Sequence, residues 1–194
     1  MIARRLDVTM NSYTHNDNLP RVSTILRVLD DAYAGVPQAA LDKAAERGTA
    51  LHKLCLTYLA SLDGVHEAPE VEPVYELAYQ AFVKWCNENA LLVVAIEEQS
   101  QNTQFGFMGT PDALVIINGE EVLIDLKFTA SIMRINEVQI RAYWKLDHYK
   151  EAKRAQLIHI GPVTGELKVR NIRRHSADWA AFLNALSVWK WRQS

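Results

Sequence analysis

Two aspartates and a lysine stand at the outer ends of two aliphatic segments that Asn118-Gly119 joins. An Asn-Gly pair between two such segments predicts a β-hairpin, because a type I′ turn needs positive φ at both central residues. With a two-residue turn, Asp112 on one strand lies directly opposite Asp125 on the other. Lys127 follows two residues after Asp125 and therefore projects from the same face of the hairpin.

Directly opposed side chains on a β-hairpin have Cβ atoms roughly 4.5–5.5 Å apart, so two carboxylates in these positions repel each other. A divalent cation offsets that repulsion, and Mg²⁺ typically binds one or two carboxylates together with waters and phosphate oxygens. Lys127 beside them suits a phosphate group or a water that is losing its proton. The alternative is a solvated strand face that carries three unrelated charges. The opposite face is wholly apolar and is predicted to be buried: Ala113, Val115, Val122, Ile124 and Leu126.

A histidine lies on the inward side of a long predicted helix. Residues 37–62 predict this helix, because their apolar side chains recur in steps of three and four, and His52 falls within that stripe. Taken alone, a histidine in such a stripe is more often a hydrogen-bonded core residue than a ligand. Gly48, one turn earlier, lets another backbone or a bound strand come close.

The combination of these motifs resembles the core of the PD-(D/E)XK nucleases. Gly109-Thr-Pro-Asp112 followed by Asp125-Leu-Lys127 is similar to the signature of that core, with Asp in place of the commoner Glu. Arg47-Gly-x-x-x-His52 resembles a motif of the RecB-type exonuclease branch, and Gln139-x-x-x-Tyr143 resembles another. The resemblance runs from about residue 20 to residue 160, and its strength lies in the order and combination of the motifs.

The resemblance implies a role for each of these residues. It implies that one or two Mg²⁺ or Mn²⁺ ions are bound by a shared set of ligands: His52, Asp112, Asp125 and the main-chain carbonyl of Leu126. It implies that Lys127 orients the attacking water or helps to deprotonate it. It also implies that residues of the flanking motifs contact DNA: Arg47, Thr129, Ser131, Gln139 and Tyr143.

A glutamate that acts near the metal or the attacking water is also implied by the resemblance. In this branch it lies a short distance before the Gly-x-x-Asp motif, and two residues fit that distance. Glu97 stands 15 residues before Asp112, and Glu98 stands 14 residues before it. We favour Glu98 as the catalytic residue, and the alternative is that both side chains belong to a solvated strand end.

The remaining segments predict an α/β fold. Residues 91–96 predict a central strand buried on both faces, and residues 155–160 and 167–172 predict two more strands. Helices are predicted over 71–89, over 132–151 and from Ser176 or Asp178 onward. Together with the resemblance, these elements indicate a restriction-endonuclease-like core, a mixed central β-sheet flanked by helices. Residues 1–19 are predicted to be a flexible N-terminal segment, and residues 20–194 a single nuclease domain.

Composition limits the class of protein. The chain has 194 residues, of which 49% are hydrophobic, and it lacks both an 18-residue apolar run and a secretory signal. We therefore expect a cytoplasmic protein with no membrane span. Cys55 and Cys86 lack CxxC spacing, so we expect buried thiols and no iron–sulfur cluster.

Charge is distributed unevenly along the chain. Residues 1–126 carry 8 Lys and Arg against 18 Asp and Glu, whereas residues 127–194 carry 13 against 5. The basic C-terminal part indicates a polyanionic partner, and the alternative is that both halves present ordinary solvated faces.

These observations lead to one functional expectation with two alternatives. The expectation is a Mg²⁺- or Mn²⁺-dependent DNA exonuclease in recombination, repair or end processing, and the segment from Pro20 is similar to that of phage and mitochondrial members of the branch. We expect it to act on DNA ends or single strands. A homo-oligomer and a recombination or single-strand-binding partner protein are both compatible with this expectation. The alternatives are a structure-specific endonuclease on the same core and a non-catalytic nucleic-acid-binding module.

Overall fold

A five-stranded mixed β-sheet lies at the centre of the fold in this computed structural model, which describes residues 18–29, 37–173 and 177–194. The strands within these ranges are β1 Leu92–Ile96, β2 Ser100–Asn102, β3 Phe107–Gly109, β4 Ala113–Ile117, β5 Glu120–Lys127, β6 Arg154–Ile160 and β7 Leu167–Ile172. The helices are α1 Val22–Leu26, α2 Gln38–Ser61, α3 Glu76–Glu88, α4 Arg134–Tyr143 and α5 Ala177–Gln193. Residues 1–17 of the predicted flexible segment lie outside the described residues. Ser176, one of the two predicted starts of the last helix, also lies outside them.

The sheet has the strand order β1-β4-β5-β6-β7. The β5–β6 pair is parallel, and the other three pairs are antiparallel. Strands β2 and β3 form a separate two-stranded sheet. One apolar core lies between the large sheet and α1, α4 and α5, and a second lies between its other face and α2 and α3. The predicted α/β arrangement with helices on both sides is therefore confirmed.

The β4–β5 hairpin has the predicted register. Ile117 pairs with Glu120, and the pairing continues without a shift to Ala113 opposite Ile124. Asn118 and Gly119 have φ values of 54° and 80°, as a type I′ turn requires. The apolar face of the hairpin is buried against α2 and α3, as predicted from its alternation.

Several predicted elements have different positions or bounds. Residues 92–96 form the edge strand β1 and not a central strand, and Leu92 and Val94 are 64% and 45% exposed. Helix α3 begins at Glu76, later than predicted, and leaves Leu77 exposed, while α4 ends at Tyr143 and is followed by turns. None of the helices within the described ranges is long and apolar enough to cross a membrane.

Candidate active site

Two aspartates lie at the open end of the hairpin, and the main chain of a glutamate adjoins one of them. The β4–β5 register places Asp112 opposite Asp125, one step beyond the paired Ala113 and Ile124. On the other side of β4, the Glu97 main-chain N–H donates to the Asp112 carbonyl at 3.0 Å. The backbones of Glu97, Asp112 and Asp125 are therefore neighbours across β1, β4 and β5, towards the same end of these strands.

Asp112 links the hairpin to α2. Its Oδ1 lies 3.0 Å from His52 Nε2, and its Oδ2 accepts a 2.6 Å hydrogen bond from the Leu126 main-chain N–H. The hydrogen bond to Asp112 raises the pKa of His52, against burial, which lowers it, and the charges of Glu97 and Asp125 raise it further. Since the His52 side chain is 31% exposed and faces these carboxylates, it lies at the site and not within either apolar core.

Asp125 is paired with Lys127. The Asp125 side chain is 1% exposed, and its Oδ2 lies 2.6 Å from Lys127 Nζ. Burial raises the pKa of Asp125 to about 6, the nearby charge of Asp112 adds to the rise, and Lys127 opposes it. The sequence predicted two carboxylates whose repulsion a bound cation must offset. In the structure each carboxylate instead has a basic side chain beside it, His52 for Asp112 and Lys127 for Asp125.

These pKa shifts predict how stability depends on pH without metal. The folded state holds its proton on Asp125 more tightly than the unfolded chain does, so stability falls as pH rises from about 4 to about 6. The raised pKa of His52 contributes stability that is complete below its ordinary pKa of 6.5 and is lost as pH rises through the higher folded value. We therefore expect the urea midpoint in EDTA to fall as pH rises from about 4 to about 6, and to fall further as His52 loses its proton. Asp125→Asn should remove the lower part of this fall, and a wild-type midpoint that stays level or rises would contradict the two shifts.

Glu97 and Glu98 point to different surroundings. Glu98 was favoured from the sequence, but its Oε1 lies 3.2 Å from His148 Nδ1 and its main-chain carbonyl accepts a hydrogen bond from the Tyr149 hydroxyl. Glu97 has a φ of 46°, its main-chain N–H bonds Asp112, and its charge acts on His52. The Glu97 main chain therefore adjoins Asp112, whereas the Glu98 side chain faces His148, and the part of either glutamate in catalysis stays a prediction. Strand alternation could not have revealed this, because a residue with positive φ breaks the alternation.

Gln139 and Tyr143 of α4 lie on the same side of that helix, as their spacing predicted. Gln139 Nε2 donates to the Tyr143 hydroxyl at 3.1 Å. Tyr143 is buried, burial raises its pKa, and the charge of Asp125 acts on it as well. Its ring packs so closely on β3 that a Cβ added to Gly109 would lie 2.7 Å from the ring and 3.2 Å from Val22. Gly109 therefore allows Tyr143 to approach the carboxylates.

Gly109→Ala is expected to destabilise the protein by about 1–3 kcal/mol, since a buried ring would have to move to admit the new methyl group. Gly48→Ala is the matched control. The nearest atom to an added Cβ there is the Phe128 carbonyl oxygen at 3.8 Å, an ordinary contact. Alanine is a better helix former than glycine, so this change in α2 should stabilise by roughly 0.5–1 kcal/mol. Urea unfolding of the three proteins measures both effects, and equal midpoints for both variants would contradict the packing argument.

The other predicted DNA contacts lie on α2 and in the turn that follows β5. Arg47 is half-buried on α2, five residues before His52. Thr129 Oγ1 donates to the Ser131 carbonyl at 2.8 Å, and the Thr129 carbonyl lies 2.7 Å from His159 Nε2. Both residues belong to the turn that leaves β5, and contact of Arg47, Thr129 or Ser131 with DNA stays a prediction.

The donor set fits Mg²⁺ or Mn²⁺ by its chemistry. Two carboxylates on opposed positions of the hairpin and an imidazole paired with one of them are present, and these ions favour carboxylate oxygens, with imidazole a common additional ligand. The raised pKa of Asp125 reflects a buried negative charge that a cation would stabilise. Among the residues with described positions, no three His, Cys, Asp or Glu side chains are already arranged around a common metal position.

Comparison with known proteins establishes the fold. No family model and no curated protein sequence matches the chain. LHK-Exo, an alkaline exonuclease from Laribacter hongkongensis, is similar with a TM-score of 0.50 and 15% identity, over 90% of this chain and 87% of that one. Its complex with dAMP is similar with a TM-score of 0.50 and 16% identity over the same shares. The crystal structure of SSO0001 has a TM-score of 0.47 and 15% identity over 94% and 80% of the two chains. The chain thus has the restriction-endonuclease-like fold of nucleases.

Proposed function

We propose that the protein is a metal-dependent nuclease that hydrolyses phosphodiester bonds of DNA from strand ends. The observation that carries this proposal is the cluster of His52, Asp112, Asp125 and Lys127 at the open end of a hairpin in a nuclease fold. Carboxylates at a sheet edge with a lysine beside them are the groups that a metal-assisted hydrolysis needs.

In this proposal His52, Asp112, Asp125 and the Leu126 carbonyl hold one or two Mg²⁺ or Mn²⁺ ions. When bound, the metal supplies Lewis-acid polarisation of the phosphate and lowers the pKa of a coordinated water. The Leu126 N–H fixes the orientation of the Asp112 carboxylate through its 2.6 Å hydrogen bond. Asp125 and Lys127 are the most buried pair of the site, so their positions are set by the sheet and not by solvent.

Lys127 is the proposed partner of the attacking water. Its Nζ is 2.6 Å from Asp125 and only 16% of its side chain is exposed, so the ammonium group is held at the site. From there it can donate to a water or a phosphate oxygen and stabilise negative charge as it develops. Glu97, on the other side of Asp112, is the proposed additional carboxylate. Gln139 and Tyr143 are proposed to contact the DNA strand beside Asp125.

Exonuclease activity on DNA is proposed over endonuclease activity for two reasons. The motifs resemble the RecB-type exonuclease branch, and LHK-Exo, whose fold is similar, is an alkaline exonuclease that has been crystallised with dAMP. Membership of that branch and a role in recombination, repair or end processing, including in a phage, belong to the same proposal.

The test is digestion of DNA labelled at the 5′ or the 3′ end, single- or double-stranded, with Mg²⁺, Mn²⁺ or EDTA. Mononucleotides or short products released from linear DNA in a metal-dependent way support the proposal. Cleavage of closed circular DNA would instead support the endonuclease alternative, and equal digestion of RNA would overturn the preference for DNA. Binding without cleavage under any metal condition would support the non-catalytic alternative.

A further inference from the structure

The chain between β1 and β4 makes an excursion that begins and ends at the active site. It leaves β1 at Glu97, forms the small β2–β3 sheet, and returns to the large sheet at Asp112. The hydrogen bond from the Glu97 N–H to the Asp112 carbonyl joins its two ends. The positions of both acidic residues therefore depend on how the excursion is held.

The turns that follow α4 hold the excursion from its other side. The Asp147 N–H donates to the Gln101 carbonyl at 2.8 Å, and Asp147 Oδ2 accepts from the Thr103 N–H at 3.0 Å. The His148 N–H donates to Ser100 Oγ at 3.2 Å. These bonds join segments separated by more than forty residues of sequence. We call residues 145–149 the clamp.

Two contacts of the clamp act on the residue next to Glu97. The Tyr149 hydroxyl donates to the Glu98 carbonyl at 2.6 Å, and Tyr149 itself is 1% exposed. His148 Nδ1 lies 3.2 Å from Glu98 Oε1. Glu98 is thus held through both its main chain and its side chain.

Glu97 needs such support, because it has a φ of 46° and is not glycine. A left-handed conformation is unfavourable for a non-glycine residue and persists only where the surrounding structure imposes it. The Tyr149 hydroxyl bonds the carbonyl of the next peptide group, between Glu98 and Gln99, and so holds the main chain immediately after Glu97.

We propose that Tyr149, assisted by His148, is a positioning residue that imposes the left-handed conformation of Glu97 and so keeps Glu97 hydrogen-bonded through its N–H to the Asp112 carbonyl. Tyr149 does not touch the carboxylates, since its hydroxyl is bonded to the Glu98 carbonyl. The value of this arrangement for cleavage rests on the proposed nuclease function, whereas the arrangement itself can be tested without any substrate.

The variant that tests it is Tyr149→Phe, which removes one hydroxyl from a buried ring. The matched control is Tyr58→Phe, whose hydroxyl bonds Asn87 Oδ1 at 3.3 Å beside the other apolar core. Amide hydrogen exchange without metal is the first measurement. Tyr149→Phe should speed exchange at the Glu97 and Thr103 amides by about tenfold, while amides of β4 and β5 keep their rates, since the lost bond is local. Tyr58→Phe should leave the Glu97 amide unchanged.

Steady-state cleavage of end-labelled DNA is the second measurement. Displacing a carboxylate from its working position lowers kcat, so Tyr149→Phe should reduce kcat by about 10- to 100-fold while KM stays within about twofold. A merely structural role would reduce the active fraction, which titration of active protein corrects, and would leave kcat per folded molecule unchanged. Unchanged exchange at Glu97, or an unchanged kcat in the presence of faster exchange, overturns the proposal.

His148→Ala is the second variant, because Tyr149→Phe could fold poorly whereas the His148 ring is largely exposed. It removes the side-chain partner of Glu98 but keeps the main-chain bond to Ser100, so we expect a smaller acceleration, about two- to threefold, at the same amides. No acceleration at these amides in His148→Ala would overturn the part assigned to His148. Wild-type protein that fails to cleave any DNA would refute the proposed function alone, because the exchange measurement decides the clamp independently.

Discussion

Asp125→Asn and Lys127→Ala are each expected to abolish DNA cleavage while DNA binding stays within a few-fold of wild type. Asn is close in shape to Asp but carries no charge, so Asp125→Asn removes the buried carboxylate without leaving a cavity. Lys127→Ala removes the group 2.6 Å from that carboxylate and the proposed donor to the attacking water. Loss of a single group that stabilises charge in a transition state typically costs about 10²–10³ in kcat, and loss of a metal ligand adds to this.

The measurement is single-turnover cleavage with saturating Mn²⁺, together with DNA binding in Ca²⁺ or EDTA. Asp63→Asn and Lys84→Ala serve as matched controls, because both side chains are exposed and paired at the surface far along the chain from the site. Lys127→Ala should also melt earlier, since it leaves Asp125 buried without its cation, so rates are compared per folded molecule. Turnover near the wild-type rate in either site variant would remove these residues from the proposed mechanism.

The hairpin that carries the site could be predicted from the sequence because its determinants are local. A two-residue Asn-Gly turn fixes the register, and alternation then assigns each side chain to a face over a few residues. Asp112, Asp125 and the buried apolar face are found where this reasoning placed them. The inward stripe of α2 likewise predicted that His52 points into the fold, and His52 lies beside Asp112. The bounds of α2, Gln38–Ser61, are within one residue of the prediction.

The other parts of the site depend on contacts that a local pattern does not contain. The different surroundings of Glu97 and Glu98 depend on the positive φ of Glu97. A hydrogen bond from Tyr149, about fifty residues further along the chain, holds the main chain beside it. Tyr149 falls within the helix predicted over 132–151, yet it lies in a turn beyond α4. There its hydroxyl donates to the Glu98 carbonyl, a contact that the helical pattern does not contain. The apolar β1 segment has the composition of a central strand, and its place at the sheet edge follows from chain topology rather than from its own residues.

His52→Ala distinguishes a metal ligand from a structural histidine. The side chain is 31% exposed, belongs to neither apolar core, and bonds Asp112 at 3.0 Å. The variant should therefore lose only about 1 kcal/mol of stability in EDTA, the usual value of one hydrogen bond. If His52 binds metal, saturating Mn²⁺ should raise the melting temperature of the wild type clearly more than that of His52→Ala, because ligand binding to the folded state stabilises it by mass action.

The same variant should lose most of its cleavage activity at limiting Mn²⁺, with partial recovery when Mn²⁺ is raised, as expected when a ligand is removed and metal affinity falls about 10- to 100-fold. His66→Ala is the control, since His66 is exposed and pairs with Asp63 in a loop after α2. A structural histidine predicts the reverse result: a much earlier melt in EDTA, full activity per folded molecule, and the same Mn²⁺ shift as wild type. Melting with and without metal thus distinguishes a metal-binding His52 from a structural one without any DNA. Only if His52 binds the metal does its removal reduce the stabilisation that Mn²⁺ gives.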